Sequence, residues 1–272
     1  YKLVTGVQTC ALPISTSIGT VIILFFINNT DMITIGNFFF KYRNQLFIFL
    51  YALLLIPSPE LFTIEKFGQD YWFLSFYIGL FVTTAGFVIR GLTIGLTFIE
   101  RGGKDLKIHA DALITRGLFT HCRNPLYVGN NLMLLGLGIL SNSLIYVLIV
   151  VPIFLFIYQA IVLAEENFLK QKFGEAYKEY CANVNRWLPS FKGIGETFST
   201  MKFKWVRWLF TEYNTQIFWL TGVFLTIIFK YQQVVGEGTE IRNKWTFIVL
   251  AVMVLYYLFL RWLRKSGRVQ ID

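Results

Sequence analysis

Charge is scarce in this sequence: of 272 residues only 15% are Asp, Glu, Lys or Arg, while 55% are hydrophobic and 18% aromatic. Soluble domains carry about 25% charged residues, and a soluble fold of this length would not have enough of them to cover its surface. Lipid is therefore the expected solvent. Cysteine is nearly absent too, with three residues at positions 10, 122 and 181 in no repeated spacing, which argues against a disulfide framework. His109 and His121 are the only histidines. Neither falls in a ligand pattern, so no metal site is expected.

An initiating methionine is also missing from the first position. Residues 4–14 read VTGVQTCALPI, a string similar to the translation of a common sequencing adapter, and residues 1–14 are read as that artefact. A signal peptide fits poorly, because Lys2 is the sole charge there and Gln8 and Pro13 break the apolar run. Met32 is the first methionine, so translation is expected to start there, with residues 15–31 as upstream sequence.

What the sequence has is long apolar runs, at 45–56, 71–89, 126–139, 143–164, 216–229 and 245–262. Each reaches or approaches the length needed to cross about 30 Å of hydrocarbon. The expected fold is all-α, a multi-pass membrane bundle of about six transmembrane helices. Only Ser141 and Asn142 separate the third and fourth runs, which predicts a tight hairpin. A core over 32–212 and a C-terminal transmembrane hairpin over 213–272 are the expected units, the latter for anchoring or oligomerisation.

The net charge of +9 could suggest nucleic acid, but its distribution argues otherwise. With six crossings, 19 of the 25 Lys and Arg residues fall on one side, as the positive-inside rule requires of a cytoplasmic face. Both termini are expected to be cytoplasmic, with no nucleic-acid partner. The stretch 201–210, MKFKWVRWLF, interleaves three cations with aromatics and reads as an interfacial segment meeting lipid. Gly91 and Gly95 form a small-xxx-small pattern suited to helix packing. Arg90 beside them either snorkels or reaches a site.

Two cytoplasmic blocks flank the hairpin, which holds them at one membrane face. The first, 115–129, reads TRGLFTHCRNPLYVG. Pro125 suits a first helical turn, and Arg123 and Asn124 just ahead of it make that turn hospitable to an anion. The second, 165–189, reads EENFLKQKFGEAYKEYCANVNRWLP. Its adjacent Glu165 and Glu166 follow an apolar run, where desolvated carboxylates need a partner. Neutralisation by Lys170 and Lys172 from the next turns is the plain structural alternative.

Together the blocks resemble the isoprenylcysteine carboxyl methyltransferase and phospholipid methyltransferase families over roughly residues 80–190. Thr115, Gly117, Arg123, Pro125, Tyr127, Gly129, Glu165, Glu166, Leu169, Phe173, Gly174, Tyr177, Tyr180 and Pro189 match the family pattern, with Phe119 in place of Tyr and Asn124 in place of His. The resemblance implies S-adenosyl-L-methionine as cofactor and a membrane lipid or lipid-linked, isoprenoid-type acceptor as partner. It places the cofactor against Arg123, Asn124, Pro125, Tyr127, Gly129, Glu165 and Glu166. Glu179 and Arg186 are the expected residues for orienting the acceptor. A sterol-reductase-like enzyme using a nicotinamide cofactor is the enzymatic alternative. A transporter or scaffold is the other, against which stand the few ionisable residues within the spans.

Overall fold

The computed structural model describes residues 29–99 and 108–267. The adapter-like segment with Cys10, and four residues of the basic tally, Arg101, Lys104, Lys107 and Arg268, lie outside the described residues.

All regular elements among the described residues are helical, and the chain is a membrane helical bundle. Six long helices carry it: α1, Asn29–Ala52; α2, Tyr71–Leu96; α3, Pro125–Leu140; α4, Tyr146–Asn183; α5, Trp205–Lys230; and α6, Thr239–Lys265. Each contains or overlaps one of the six apolar runs. Among the described residues α2, α4 and α6 are long and apolar enough to cross a membrane by themselves, while α3 is apolar but shorter.

The α3–α4 hairpin turns where the sequence places it. Asn142 adopts φ 51°, a left-handed conformation that asparagine tolerates better than most side chains. Its side chain clasps the α1–α2 connection, accepting from Phe62 N at 2.8 Å and donating to Phe62 O at 3.0 Å. Helices α2 and α3 approach closely at Gly86 and Gly129. A Cβ on Gly86 would stand 2.5 Å from the Gly129 carbonyl oxygen, and one on Gly129 would stand 2.8 Å from that of Gly86. Only glycine lets two backbones meet so closely.

Gly91 and Gly95 also serve packing, as their spacing suggests. They lie against Trp208 and Phe203 of the interfacial stretch, where a Cβ on Gly95 would overlap the Phe203 ring. That stretch is two-sided: Phe203 and Trp208 turn inward, whereas Trp205 and Val206 remain exposed.

Arg90 does not snorkel, and it touches the two flanking blocks only at the backbone of Leu126 in the first. Its guanidinium is buried on Glu212 of α5, with contacts of 2.8 and 3.0 Å, and it also donates to Leu126 O and Asn130 Oδ1 of α3. Trp219 Nε1 of α5 donates to Thr83 Oγ1 of α2 at 2.7 Å. Helix α5 runs unbroken past residue 212 and is bound into the core by these contacts, so a boundary at 212/213 falls inside a helix. Helix α6 packs on α5 through Leu260 and Tyr257 against Phe210 and Tyr213, and it turns most of its surface outward.

Candidate functional site

The first block folds as a short helical turn, Gly117–Thr120, followed by α3 with Pro125 in its first turn. Pro125 gives up no hydrogen bond there, since the first N–H groups of a helix have no internal acceptor. The second block is the C-terminal end of α4 and the strap that follows it.

Glu166 and Arg186 are 20 residues apart, a distance of about 30 Å along a straight helix. In the folded chain they form a two-point ion pair, Arg186 Nη2 to Glu166 Oε2 at 2.7 Å and Arg186 Nε to Oε1 at 3.0 Å. The break that makes this geometry is Gly174, with φ 54° and ψ −121° in the middle of α4. The chain reverses there, so residues 175–183 and the strap return toward Glu166. That backbone conformation is costly for any side chain, on the order of 1–3 kcal/mol. Gly174→Val is therefore expected to lower stability by about that much and to depress activity more than stability, because it moves Arg186. Comparing the melting temperature with the turnover rate of the purified variant checks this, and full activity would show that the break is dispensable.

The returning strap docks on the first block by backbone as well as side chain. Arg123 N donates to Asn185 O at 2.9 Å, and Ser190 N donates to His121 O at 2.9 Å. Asn124 Nδ2 reaches Arg186 O at 3.2 Å, and Tyr180 OH donates to Phe119 O at 2.7 Å. Cys122 is sealed beneath, with its Sγ 3.4 Å from Arg186 O. Burial pushes its thiol up to about 11, outweighing the lowering effects of the Asn124 backbone and Arg123. It is a neutral, structural cysteine at physiological pH.

The centre of the site is Glu166. Besides Arg186 it faces Arg123 Nη1 at 3.3 Å, and Arg123 Nη1 also donates to Cys181 Sγ at 2.6 Å. One carboxylate thus holds two guanidiniums, all largely buried. Arg123 Nε is buried and has no hydrogen-bond partner, a donor set beside the ion pair. Glu165, one residue earlier on α4, has a different partner: its Oε1 accepts from Tyr127 OH at 2.8 Å. The Tyr127 ring lies 5.1 Å from that of Tyr158, and Trp187 Nε1 donates to Gln159 Oε1 at 2.8 Å, walling this side with aromatics.

The structure thus brings Arg123, Asn124, Tyr127, Glu165, Glu166 and Arg186 together, with Pro125 setting the helix start. It does not bring Glu179 in: that side chain is exposed, on the outer face of the returning segment. Gly129 is occupied with helix packing against α2. Lys170 and Lys172 do not neutralise the glutamates, for Lys170 is exposed and Lys172 Nζ donates to Ala110 O. The partners are arginines that come from farther along the chain. Cys181 and Asn130 were not anticipated as neighbours of the charged groups. Cys181 sits one helical turn beyond the matched Tyr177, a spacing that offered the one available signal.

Residues 74–176 match the sequence profile of the phospholipid methyltransferase family. A probable protein-S-isoprenylcysteine O-methyltransferase of Oryza sativa, in both the indica and japonica subspecies, is 35% identical over 128 residues, covering 44% of this chain and 64% of the relative. A cobalt-zinc-cadmium resistance protein of Cupriavidus metallidurans is 35% identical over 79 residues, covering 29% of this chain and 36% of that one. The chain thus spans just under two thirds of the rice relatives and about a third of the bacterial one. No solved structure matches. The stretch that supplies Arg123, Tyr127, Glu165 and Glu166 is thus similar to the phospholipid methyltransferase family.

Proposed function

We propose that this protein is an S-adenosylmethionine-dependent methyltransferase that modifies a lipid or isoprenoid-type acceptor at the cytoplasmic face of a membrane. The observation that carries this is the convergence of the two family blocks on Glu166, with Arg123 from one and Arg186 from the other. The family match and the similarity to the rice O-methyltransferases support it. Sidedness follows from the basic excess on the face that holds both blocks.

The residues suit such a cofactor. The buried Arg123 Nε is a charged donor lacking an acceptor, which a carboxylate would complete. Glu165 is held by a neutral hydroxyl and is the better carboxylate for a cationic group, since two guanidiniums already claim Glu166. Glu166 therefore acts by fixing the arginines. S-adenosylmethionine, when bound, supplies a methyl group carried on a sulfonium. The protein's part is then to position and to exclude water, because an acceptor that is already a carboxylate or thiolate needs little acid–base help. The aromatic wall of Tyr127, Tyr158 and Trp187 provides the exclusion, and Arg186 is a second guanidinium for aligning an anionic acceptor.

Calorimetry of the purified protein with S-adenosylmethionine and with NADPH tests the cofactor class. Binding of the former alone is expected. Binding of NADPH alone would replace this reading with the sterol-reductase one. Transfer of a labelled methyl group into a total lipid extract, followed by mass spectrometry of the product, would identify the acceptor. Label found only in protein or in water-soluble products would refute a lipid acceptor.

A further inference from the structure

A charged side chain that the methyl-transfer reading does not use stands in the seam between α1 and α4. Gly36, Phe40, Arg43, Phe47 and Leu50 recur at helical spacing along α1, and the stripe they form is the face that meets α4. A Cβ on Gly36 would overlap the Ala160 carbonyl, the Phe47 ring lies 5.1 Å from that of Tyr158 and 5.4 Å from that of Phe154, and Phe40 and Leu50 are buried. Arg43 is the one charge in this stripe. Its neighbours Lys41, Tyr42, Asn44 and Gln45 are exposed, whereas Arg43 is half-buried. Its guanidinium leans back toward the start of α1, as helical side chains do, and lies 4.3 Å from the Phe40 ring centroid. Among the described residues it makes no ion pair and no hydrogen bond. Snorkelling to the surface is the plain alternative. Phe40, however, packs in one cluster with Tyr158, Ile161 and Tyr127, so a guanidinium over that ring is turned to the interior of the bundle. Its charge acts on Tyr127, Tyr158 and Glu165 alike, which is the aromatic-walled side of the candidate site.

Along the apolar run of α4, an ionised side chain is costly and marks a partner or a ligand. Glu165 lies on the same side, but its hydrogen bond is with Tyr127. We propose that Arg43 holds the anionic end of a hydrophobic chain, a carboxylate or a phosphodiester, beside the Tyr127–Glu165 pair. One guanidinium matches one negative charge and presents parallel donors to its two oxygens. Its place in a seam of membrane helices selects an anion carried on a hydrophobic chain over a soluble one. Arg43 precedes the family-matched stretch 74–176, so that match says nothing of it. Identifying the chain as the methyl acceptor rests on the methyl-transfer reading, whereas the anion site itself does not.

Native mass spectrometry of the full chain in neutral detergent tests this, with titrations of dodecanoate, lauroyl lysophosphatidylglycerol, methyl dodecanoate and acetate. At least one of the two anionic lipids is expected to bind about tenfold or more tightly than the neutral ester, the scale of a charge-assisted hydrogen bond, and the tighter of the two names the anion. Acetate binding as tightly as dodecanoate would overturn the requirement for a chain. Arg43→Gln should erase the preference for the anion without lowering the melting temperature, because it removes a charge that no protein group pairs. A lower melting temperature with the preference retained would assign Arg43 to structure alone. Arg43→Lys should keep part of the preference, and Lys41→Gln, which removes an exposed cation two residues away, should keep all of it. Saturating S-adenosylmethionine should leave the anion's affinity unchanged, since an acceptor binds beside the cofactor, and mutual exclusion would overturn the acceptor role. If S-adenosylmethionine did not bind while the Arg43-dependent preference persisted, the methyl-transfer reading would fall and the anion site would stand. Equal affinity for both anions and the ester, or equal effects of Arg43→Gln and Lys41→Gln, would overturn the site itself.

Discussion

Glu166→Ala is expected to reduce methyl transfer by at least about a hundredfold, the scale of a small misplacement of positioning groups, and to lower stability by about 3 kcal/mol. The two effects share one cause. Glu166 holds Arg186 at 2.7 Å and Arg123 at 3.3 Å, with its side chain 13% exposed and theirs 21% and 11%. Removing it leaves two like charges facing each other in a poorly hydrated space, and nothing then keeps the returning strap in register. A double-mutant cycle with Arg186→Ala separates this from generic damage. Positioning through the pair predicts a coupling of about 1–3 kcal/mol in stability, and little further loss of activity in the double variant. Additive losses would show that Glu166 and Arg186 act independently. Glu166→Gln keeps the shape but not the charge, and should fall between wild type and alanine in both measurements.

Arg90→Met is expected to produce the largest loss of stability, about 3–5 kcal/mol, the range for stripping one partner from a buried ion pair. The side chains of Arg90 and Glu212 are 5% and 1% exposed, so Glu212 would be left charged and without its guanidinium between α2 and α5. Arg90 also donates to α3 at Leu126 O and Asn130 Oδ1, so three helices loosen together. Thermal unfolding in detergent should fall by about 10 °C, at the usual few degrees per kcal/mol for a chain of this size. Replacing both partners, Arg90→Met with Glu212→Leu, should restore much of the loss, because a matched apolar pair leaves no buried charge unsatisfied. If the double variant were no more stable than Arg90→Met, the charge explanation would fail. Cofactor binding by the double variant should stay close to wild type, since the pair ties α5 into the bundle and does not face Glu166.

The relation between α5 and the core shows how far the sequence could be followed. Hydropathy separates 216–229 as an apolar run outside the family-like region, and from that alone the last two helices look like an appendage. Arg90 and Glu212 are 122 positions apart, and no local pattern couples them. The same limit applied to Glu166. That its carboxylate needed a partner was evident from its place at the end of an apolar run. That the partner is Arg186 and not Lys170 depends on the chain reversing at Gly174, whose φ of 54° follows from no periodicity. Glu179, named with Arg186 for orienting the acceptor, lies on the exposed side of the returning segment, since a helix distributes neighbouring residues around its circumference.

The sequence by itself determined the solvent, the helical class, the hairpin at Ser141 and Asn142, and the two blocks of polar residues that the hairpin brings to one face. Each of these depends on composition or on spacings within a few turns of helix, where backbone geometry fixes what neighbours what. Tertiary structure alone decided which charges pair and which residues the packing glycines meet. Those outcomes rest on contacts between residues tens to more than a hundred positions apart, and such contacts are set by how helices pack against one another in three dimensions.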